Sequence, residues 1–332
     1  MQRLFILLFI LVPLISLSQT DPHFSQYYHY TSAINPAMTG IMNGSVRLSA
    51  IYRNQWNSIS RPFETPGIQA EVSTNRNLNF GASVMSQQAG DGGFRYTQSH
   101  LSINYTGIRW GINEQHHLSV GIQAGFIQRS FEPSKLRLGD QWVPGIGYNP
   151  NLSSNDIFPV RNSLVPDIST GIFYFNDDPD KKILPFFGVA AFHLNQPADP
   201  FVTSNDLPYI PVRYVLQGGL QIQTENENIL FTPHVIYMQQ GTALNVIAGG
   251  QMSMYVNDDT RFLAGAYYRW DDAITPFAGL AYNRMTLGVS YDVTTSALSR
   301  FVNGTGSFEI SLSYMFDKKE KRSPIRFECP RF

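Results

Sequence analysis

Apolar and polar residues alternate along many segments of this chain. In the last of these segments, Phe308, Ile310 and Leu312 fall on one face, and Glu309 and Ser311 fall on the other. A period of two residues is typical of a β-strand, whose successive side chains point to opposite faces of its sheet. The pattern therefore predicts an all-β protein. It suits both a barrel in a membrane and two packed sheets in water, so alternation alone does not decide between them.

Fourteen segments of this kind follow one another after Gly44, separated by turn-forming Gly, Asn, Asp and Pro residues. Segments of about ten residues suit tilted strands that cross a bilayer, and bacterial single-chain barrels have an even number of strands. We therefore predict a transmembrane antiparallel β-barrel of about 14 strands. The seventh to ninth are the least regular, because prolines, which donate no ladder hydrogen bond, lie in or near their starts. The predicted strands span 45–56, 67–75, 79–86, 94–106, 116–128, 167–175, 184–194, 209–223, 229–238, 243–256, 260–270, 274–282, 284–292 and 306–316.

The lengths of the connections predict an orientation. If both ends of the barrel sequence lie in the periplasm, odd-numbered connections face outward and even-numbered connections face the periplasm. The even-numbered connections are mostly short runs of turn formers, such as Asn257-Asp258-Asp259. Short periplasmic turns and longer extracellular loops are typical of outer-membrane barrels. The four longest connections are all odd-numbered, at 57–66, 129–166, 195–208 and 293–305.

Composition favours the membrane. Charged residues make up only 15% of the chain, whereas aromatic residues reach 13%. A barrel that faces lipid explains both values, because its outer surface is apolar and aromatic rings favour its two rims. No apolar stretch beyond residue 18 approaches the ~20 residues of a membrane-spanning helix. A net charge of −1 gives no footprint for nucleic acid. A soluble β-sandwich or propeller is the alternative.

The start of the chain carries the features of a secretory signal peptide. Arg3 precedes an apolar run over 4–17, and Ser16 and Ser18 supply the small side chains of a cleavage site. The alternative, a membrane anchor, is disfavoured because the run is short for the ~30 Å of hydrocarbon in a bilayer. We therefore predict a cleaved signal peptide at 1–18.

Two further parts lie outside the predicted barrel, which spans 45–316. Residues 19–44 are polar and aromatic without a clear period, and we expect them to run along the periplasmic mouth or into the lumen. Residues 317–332 form a basic tail that we expect in the periplasm, either as a solubilising end or as a docking peptide. Cys329 is the one cysteine, so it cannot form a disulfide within the chain.

Candidate chemistry is sparse. His116 and His117 are adjacent, so in a strand they point to opposite faces and do not readily share a metal ion. Acidic pairs such as Asp258-Asp259 offer oxygen ligands for calcium, but they lie at predicted turns, where Asp is favoured for local backbone bonding. No zinc-protease, phosphate-loop or dinucleotide-binding motif is present. The sequence therefore predicts no catalytic residues, no cofactor and no metal site.

Three motifs carry a resemblance to a known family. They are Asp21-Pro22-His23-Phe24-Ser25-Gln26-Tyr27 leading to Asn35-Pro36-Ala37-Met38-Thr39-Gly40, then Tyr52-Arg53-Asn54-Gln55-Trp56 followed by Pro62-Phe63-Glu64-Thr65, and finally Cys329-Pro330-Arg331-Phe332. In this order they resemble the PorP/SprF family of type IX secretion and gliding proteins of Bacteroidetes, over essentially the whole mature chain. The resemblance implies an outer-membrane component of that machinery. Its role would be to hold the C-terminal domain of a secreted adhesin at the cell surface, or to serve the secretion apparatus itself.

Two places are candidates for binding a protein partner. Residues at the outer end of the first strand are placed to clamp the following loop or to contact cargo. The alternative for Arg53 and Gln55 is a network inside the lumen. The end of the tail is a candidate for docking on a periplasmic secretion component. The candidate residues are Arg53, Asn54, Gln55 and Trp56 at the strand end, and Arg331 and Phe332 in the tail.

Two other functions compete with partner binding. A transporter for small hydrophobic or polar solutes is the main alternative, because fatty-acid-type transporters resemble this chain in strand count. The predicted inward-facing residues are mostly small and polar, which suits either a narrow pore or contacts with a peptide. An outer-membrane hydrolase, with Ser, His and Asp brought together from different strands, is the third.

Overall fold

The strands of the computed structural model follow the alternation of the sequence. The structure describes residues 21–56, 62–74, 76–90, 93–156, 161–198, 209–226, 228–257, 259–296, 299 and 305–316. The predicted signal peptide and the basic tail with Cys329, Arg331 and Phe332 lie outside these residues, and their roles stay predictions. The barrel strands are β1 (Val46–Gln55), β2 (Phe63–Ser73), β3 (Leu78–Ala89), β4 (Phe94–Trp110), β5 (His116–Ser130), β8 (Asn162–Asn176), β9 (Ile183–Phe192), β10 (Arg213–Gln223), β11 (Ile229–Gln240), β12 (Ala243–Asn257), β13 (Thr260–Arg269), β14 (Ala273–Tyr282), β15 (Met285–Thr294) and β16 (Thr305–Phe316), while β6 (Trp142–Val143) and β7 (Gly147–Tyr148) form a hairpin between β5 and β8.

The barrel strands close into one antiparallel cylinder, in which each pairs with the barrel strands before and after it. Closure is made by β1 and β16, which pair from Val46 opposite Phe316 to Gln55 opposite Ser307. A closed ladder leaves no open sheet edge. A bilayer requires this, because its core contains no water to bind the unpaired backbone groups of an edge. Within the described part of the chain, the predicted barrel of fourteen antiparallel strands is confirmed.

Two strands begin earlier than predicted and include a proline. Pro66 and Pro166 lie inside the ladders, opposite Tyr52 and Phe126. A proline removes only its own N–H donor, and the neighbouring residues continue the ladder past it. The predicted bounds were therefore too short for two strands, and β4 also continues further than predicted. The corrected bounds are a start at Phe63 instead of 67 for β2, a start at Asn162 instead of 167 for β8, an end at Trp110 instead of 106 for β4, and a later start, at Arg213 instead of 209, for β10.

The two faces of the wall differ in what covers them. On β16, Phe308, Ile310 and Leu312 are 45%, 39% and 44% exposed, whereas Glu309 and Ser311 are each 1% exposed. A soluble sheet would bury its apolar face, so this arrangement rules out the soluble alternative and matches a wall that meets lipid. Among the described residues, no helix is long and apolar enough to cross a membrane.

Residues 21–42 lie inside the cylinder. All of them except His23 and Ala33 are buried. Their backbone forms three short 3-10 helices, at Tyr27–His29, Thr31–Ala33 and Pro36–Met38. Asn35 caps the third helix, because its side-chain oxygen accepts a hydrogen bond of 2.9 Å from the amide of Ala37, as expected of Asn before a helix.

Gly40 ends the same motif where the chain turns toward β1. Its φ is 72°, in the left-handed region that glycine adopts without steric penalty. A Cβ at this position would lie 2.4 Å from the Cβ of Asn79. The Asn-Pro-Ala-Met-Thr-Gly motif noted in the sequence is therefore explained by local geometry, with a cap at its start and a crowded left-handed turn at its end.

Candidate functional site

The N-terminal segment, residues 21–42, runs the length of the lumen. Asp21 contacts His193, which directly follows β9, and Gln240, the last residue of β11. Both positions are at the end of the barrel that carries the long connections. Gly40 lies at the other end, where its amide donates to the Glu71 carboxylate near the end of β2. The segment therefore links the two mouths of the barrel, which we name the long-loop mouth and the short-turn mouth.

The wall of the lumen binds the main chain of this segment. Glu309 accepts hydrogen bonds of 2.7 and 2.8 Å from the amides of Ser25 and Gln26. Asn104 donates to the carbonyl of Thr39 at 2.8 Å. Because the segment has little regular structure, its buried amides and carbonyls need partners of this kind. The lumen thus binds an irregular peptide through polar side chains placed on rigid strands.

Aromatic packing holds the middle of the segment. The Tyr27 hydroxyl hydrogen-bonds to Nδ1 of His234 at 2.8 Å. The ring centroid of Tyr27 lies 5.5 Å from that of Tyr267, and the centroid of Tyr28 lies 5.6 Å from that of Phe277. These edge-on and tilted contacts bury large rings against β11, β13 and β14, and such rings dominate the energetics of a core.

A charged cluster, the arginine–carboxylate cluster, lies near the long-loop mouth. Asp292 accepts from Arg53 at 2.9 Å and from Arg269 at 2.7 Å, and Arg53 also pairs with Glu309. All four side chains are buried. Ser25 of the N-terminal segment donates to Asp292 at 2.9 Å and accepts from Arg53 at 2.7 Å. The cluster therefore joins four strands to the segment.

A second group, the histidine–carboxylate relay, faces it across the same mouth. His193 Nε2 lies 2.5 Å from an oxygen of Asp21, and its Nδ1 lies 2.8 Å from Asp167. Asp167 is also bound by His100 at 2.9 Å. The other contacts of Asp21 are with Arg213 Nη1 at 3.3 Å and with the hydroxyl of Tyr96 at 3.0 Å, which donates to it.

The charges of the relay set its protonation. Burial by itself would lower the pKa of His193, but the carboxylates of Asp21 and Asp167 outweigh it and raise this pKa to about 9. Burial opposes the charged form of Asp21 as well, yet the charges of His193 and Arg213 hold its pKa well below the ordinary value. At neutral pH the relay is therefore an imidazolium between two carboxylates.

The predicted binding residues at the end of β1 lie in two different places. Arg53 faces the lumen and is 2% exposed, and its Nε lies 3.4 Å from the side-chain oxygen of Gln55. Trp56 has a φ of 61° and packs edge-on against Phe63, with centroids 5.0 Å apart. Asn54 is half-buried. The structure thus brings Arg53 and Gln55 together inside the barrel and leaves Trp56 at the rim.

The residues of the relay were not found in the sequence. They come from four separate places in the chain, and Asp21 and His193 are 172 positions apart. No spacing signals such a contact. The arginine–carboxylate cluster did leave a signal, because Glu309 and Asp292 lie on the polar faces of segments with regular alternation, where a charge is expected to face the lumen. Among the described residues, no three His, Cys, Asp or Glu side chains come together in a way that would hold a metal ion.

The fold and the lumen define a class: a membrane β-barrel whose interior is filled by its own N-terminal segment. The model of the family described as the type IX secretion system membrane protein PorP/SprF matches residues 16–314. The chain belongs to this family, and the resemblance seen in its motifs is confirmed. It is an outer-membrane protein.

Solved structures of similar architecture include hydrocarbon transporters. The toluene transporter TodX of Pseudomonas putida is 11% identical with a TM-score of 0.50, over 90% of this chain and 95% of that chain. The monoaromatic hydrocarbon channel CymD is 10% identical with a TM-score of 0.50, over 91% and 96%. The toluene transporter TbuX of Ralstonia pickettii is 12% identical with a TM-score of 0.48, over 85% and 92%. At such identity the likeness shows the fold alone. No curated protein sequence matches the chain.

Proposed function

We propose that this protein is a non-catalytic component of the type IX secretion or gliding machinery that holds a secreted partner, such as the C-terminal domain of an adhesin, at the cell surface. Family membership supports the link to secretion. The sorting of long connections to one end supports an orientation in which the long-loop mouth faces outward. The partner would then meet the barrel at that mouth.

The filled lumen is the observation that carries this proposal. Residues 21–42 are almost all buried and bound to the wall from one mouth to the other. A transporter for small solutes would need this segment to leave. An apolar depression of about 990 Å³ does exist, but residues such as Ala50, Leu101 and Phe126 place it on the outer wall, toward lipid. These features favour a closed barrel that binds at its surface over a channel.

The connection between β5 and β8 offers a folded binding surface at the long-loop mouth. Gln141 donates to the carbonyl of Leu152 at 2.8 Å, and Arg137 lies over the ring of Tyr148. The hairpin nevertheless leaves Trp142 55% exposed and Ile146 79% exposed. Exposed Trp beside Tyr and Arg is typical of protein interfaces, where such residues carry most of the binding energy.

Affinity capture tests the proposal. The full-length tagged protein is purified from native membranes in detergent, and we expect the C-terminal domain of a secreted protein to accompany it. The double variant Trp142→Ala, Ile146→Ser should lose most of this partner, whereas Ile112→Ser, which changes an exposed residue at the short-turn mouth, should retain it. Ion or solute conductance of the unaltered barrel in planar bilayers, with no secreted protein captured, would instead establish the channel function.

The basic tail remains a candidate for docking on periplasmic components. Arg331 and Phe332 lie beyond the described residues, so this part of the proposal comes from the sequence alone. Deletion of 317–332 should abolish co-purification with those components and leave barrel assembly intact. Unchanged co-purification would remove the docking role.

A further inference from the structure

The long-loop mouth contains a group of side chains that converge on one carboxylate. The Asp21 carboxylate is bound by Tyr96, His193 and Arg213, which come from three different places on the wall. Gln240 in addition accepts from the amide of Asp21 at 3.0 Å. A cation, an imidazolium and a hydroxyl around one carboxylate make up a carboxylate-binding site.

This site is rigid on the side of the wall. His193 is 1% exposed and is held from behind by Asp167, which His100 fixes in turn. Its φ of 57° is uncommon for a residue other than glycine and is maintained by these contacts. Arg213 is also fixed, since its second terminal nitrogen donates to the carbonyl of Ala33 at 3.1 Å. The donors would therefore keep their positions if Asp21 left.

The site also has binding capacity beyond what Asp21 uses. A small cavity of about 20 Å³ adjoins Asp21 and is lined by His23, Arg213 and Asn245, among others. Nε of Arg213, whose side chain lines this cavity, is buried and has no partner among the described residues. Arg213 is 6% exposed. A buried guanidinium with an unused N–H beside a cavity indicates room for one more oxygen than Asp21 supplies.

Asp21 is also the part of the N-terminal segment that can leave its site without disrupting the aromatic core. It is held at the mouth by polar contacts alone, whereas Tyr27 and Tyr28 are locked into the aromatic core deeper in the lumen. An incoming carboxylate would exchange like for like, without exposing a buried cation. Exchange therefore needs only the first residues of the segment to move.

We propose that the long-loop mouth is a carboxylate-binding site that Asp21 occupies in the free protein, and that an acidic side chain or C-terminal carboxylate of the secreted partner replaces Asp21 there. This inference rests on the proposed function, because it names the chemistry by which that partner is recognised. Arg213 and His193 would bind the partner, and Asp21 would compete with it.

Chemical rescue tests the site without any partner. The Asp21→Ala protein in detergent should unfold at a lower temperature than the unaltered protein, and sodium acetate should restore its midpoint in a saturable way. Sodium chloride at equal ionic strength should not. Asp21→Asn, which fills the site with an amide, and Asp180→Ala, which removes an exposed carboxylate, should show no response to acetate. If Asp21→Ala does not fold, Asp21→Ser takes its place. No response to acetate in the folded variant would overturn the carboxylate site.

Partner affinity tests the exchange. Using the domain captured above, Asp21→Ala should bind several-fold more tightly than the unaltered protein, and Arg213→Gln should bind several-fold more weakly. A purely structural role would weaken binding in both variants, and that outcome would overturn the inference while leaving the proposed function intact. Failure of the unaltered protein to bind any partner would count against the proposed function. The acetate experiment would still show whether the long-loop mouth binds a carboxylate.

Discussion

The two parts of the N-terminal segment are held in different ways. Residues 21–26 meet charged groups, namely the histidine–carboxylate relay and the arginine–carboxylate cluster. Residues 27–42 meet mainly aromatic rings and neutral donors, although Arg213 donates to the carbonyl of Ala33 and the Arg47–Glu71 pair lies at the short-turn mouth. Charged contacts respond to pH and to competing ions, whereas packed rings do not. The difference indicates that residues 27–42 stay in the lumen, whereas residues at the long-loop mouth can exchange with a competing ligand.

The arginine–carboxylate cluster should give the largest effect on stability. Asp292→Asn leaves Arg53 and Arg269 without their shared anion, in a place where all three side chains are buried. Breaking a buried pair from one side costs about 3–5 kcal/mol. The free energy of unfolding, measured by urea titration in lipid vesicles, should fall by that amount. Asp180→Asn, at an exposed turn, serves as the control, and an equal loss in both variants would contradict the role given to the cluster.

A change in residues 27–42, the part of the segment that packs against aromatic rings, should have an intermediate effect on stability. Tyr27→Phe keeps the ring but removes the hydroxyl that bonds to His234. Leaving a buried partner unsatisfied costs about 1–3 kcal/mol. The same urea titration measures this loss, and Tyr214→Phe, on the exposed outer wall, is the matched control. A Tyr27→Phe variant as stable as the control would mean that the ring, without its hydroxyl, is enough to anchor residues 27–42.

The relay should make the long-loop mouth sensitive to pH on the alkaline side. The folded pKa of His193 is raised to about 9 from an ordinary 6.5, so its contribution is complete below about pH 6.5 and disappears as pH rises through 9. Because the folded pKa of Asp21 is lowered, its own contribution is lost only in acid. The thermal midpoint should therefore fall between pH 6.5 and 9, and more steeply than in His193→Gln. Parallel curves for the two proteins would show that the relay does not contribute.

Exposed charges at the same mouth should matter least. Lys135 and Glu132 form an ion pair in which both side chains are about half exposed. Such exposed pairs contribute little to stability, and salt screens them. Glu132→Ala should therefore leave the free energy of unfolding nearly unchanged, and any difference should vanish in high salt. A larger effect would mean that the loop between β5 and β8 helps to hold the barrel closed.

Several features of the wall were predictable because they are local. The alternation in 306–316 and its equivalents is visible within ten residues and predicts the strands and their two faces, while the composition predicts that the outer face meets lipid. Even the irregular seventh to ninth strands were found within a few residues of β9, β10 and β11. The starts of β2 and β8 were predicted too late, because whether a ladder continues past Pro66 or Pro166 depends on the neighbouring strands.

The contents of the lumen were decided by tertiary structure. The sequence left residues 19–44 between the periplasmic mouth and the interior, because a segment without a period carries no local signal for where it lies. Which inward side chains meet depends on the register around a closed cylinder and on the chain that fills it. The relay shows this, since Asp21, Asp167 and His193 become neighbours only once β8, β9 and β10 stand side by side with the segment inside them. By itself the sequence determined the strands of the wall, because a strand's faces repeat every second residue, and its low charge and high aromatic content indicated the membrane. The charged contacts at its mouth required the closed barrel, because they join positions that no local pattern connects.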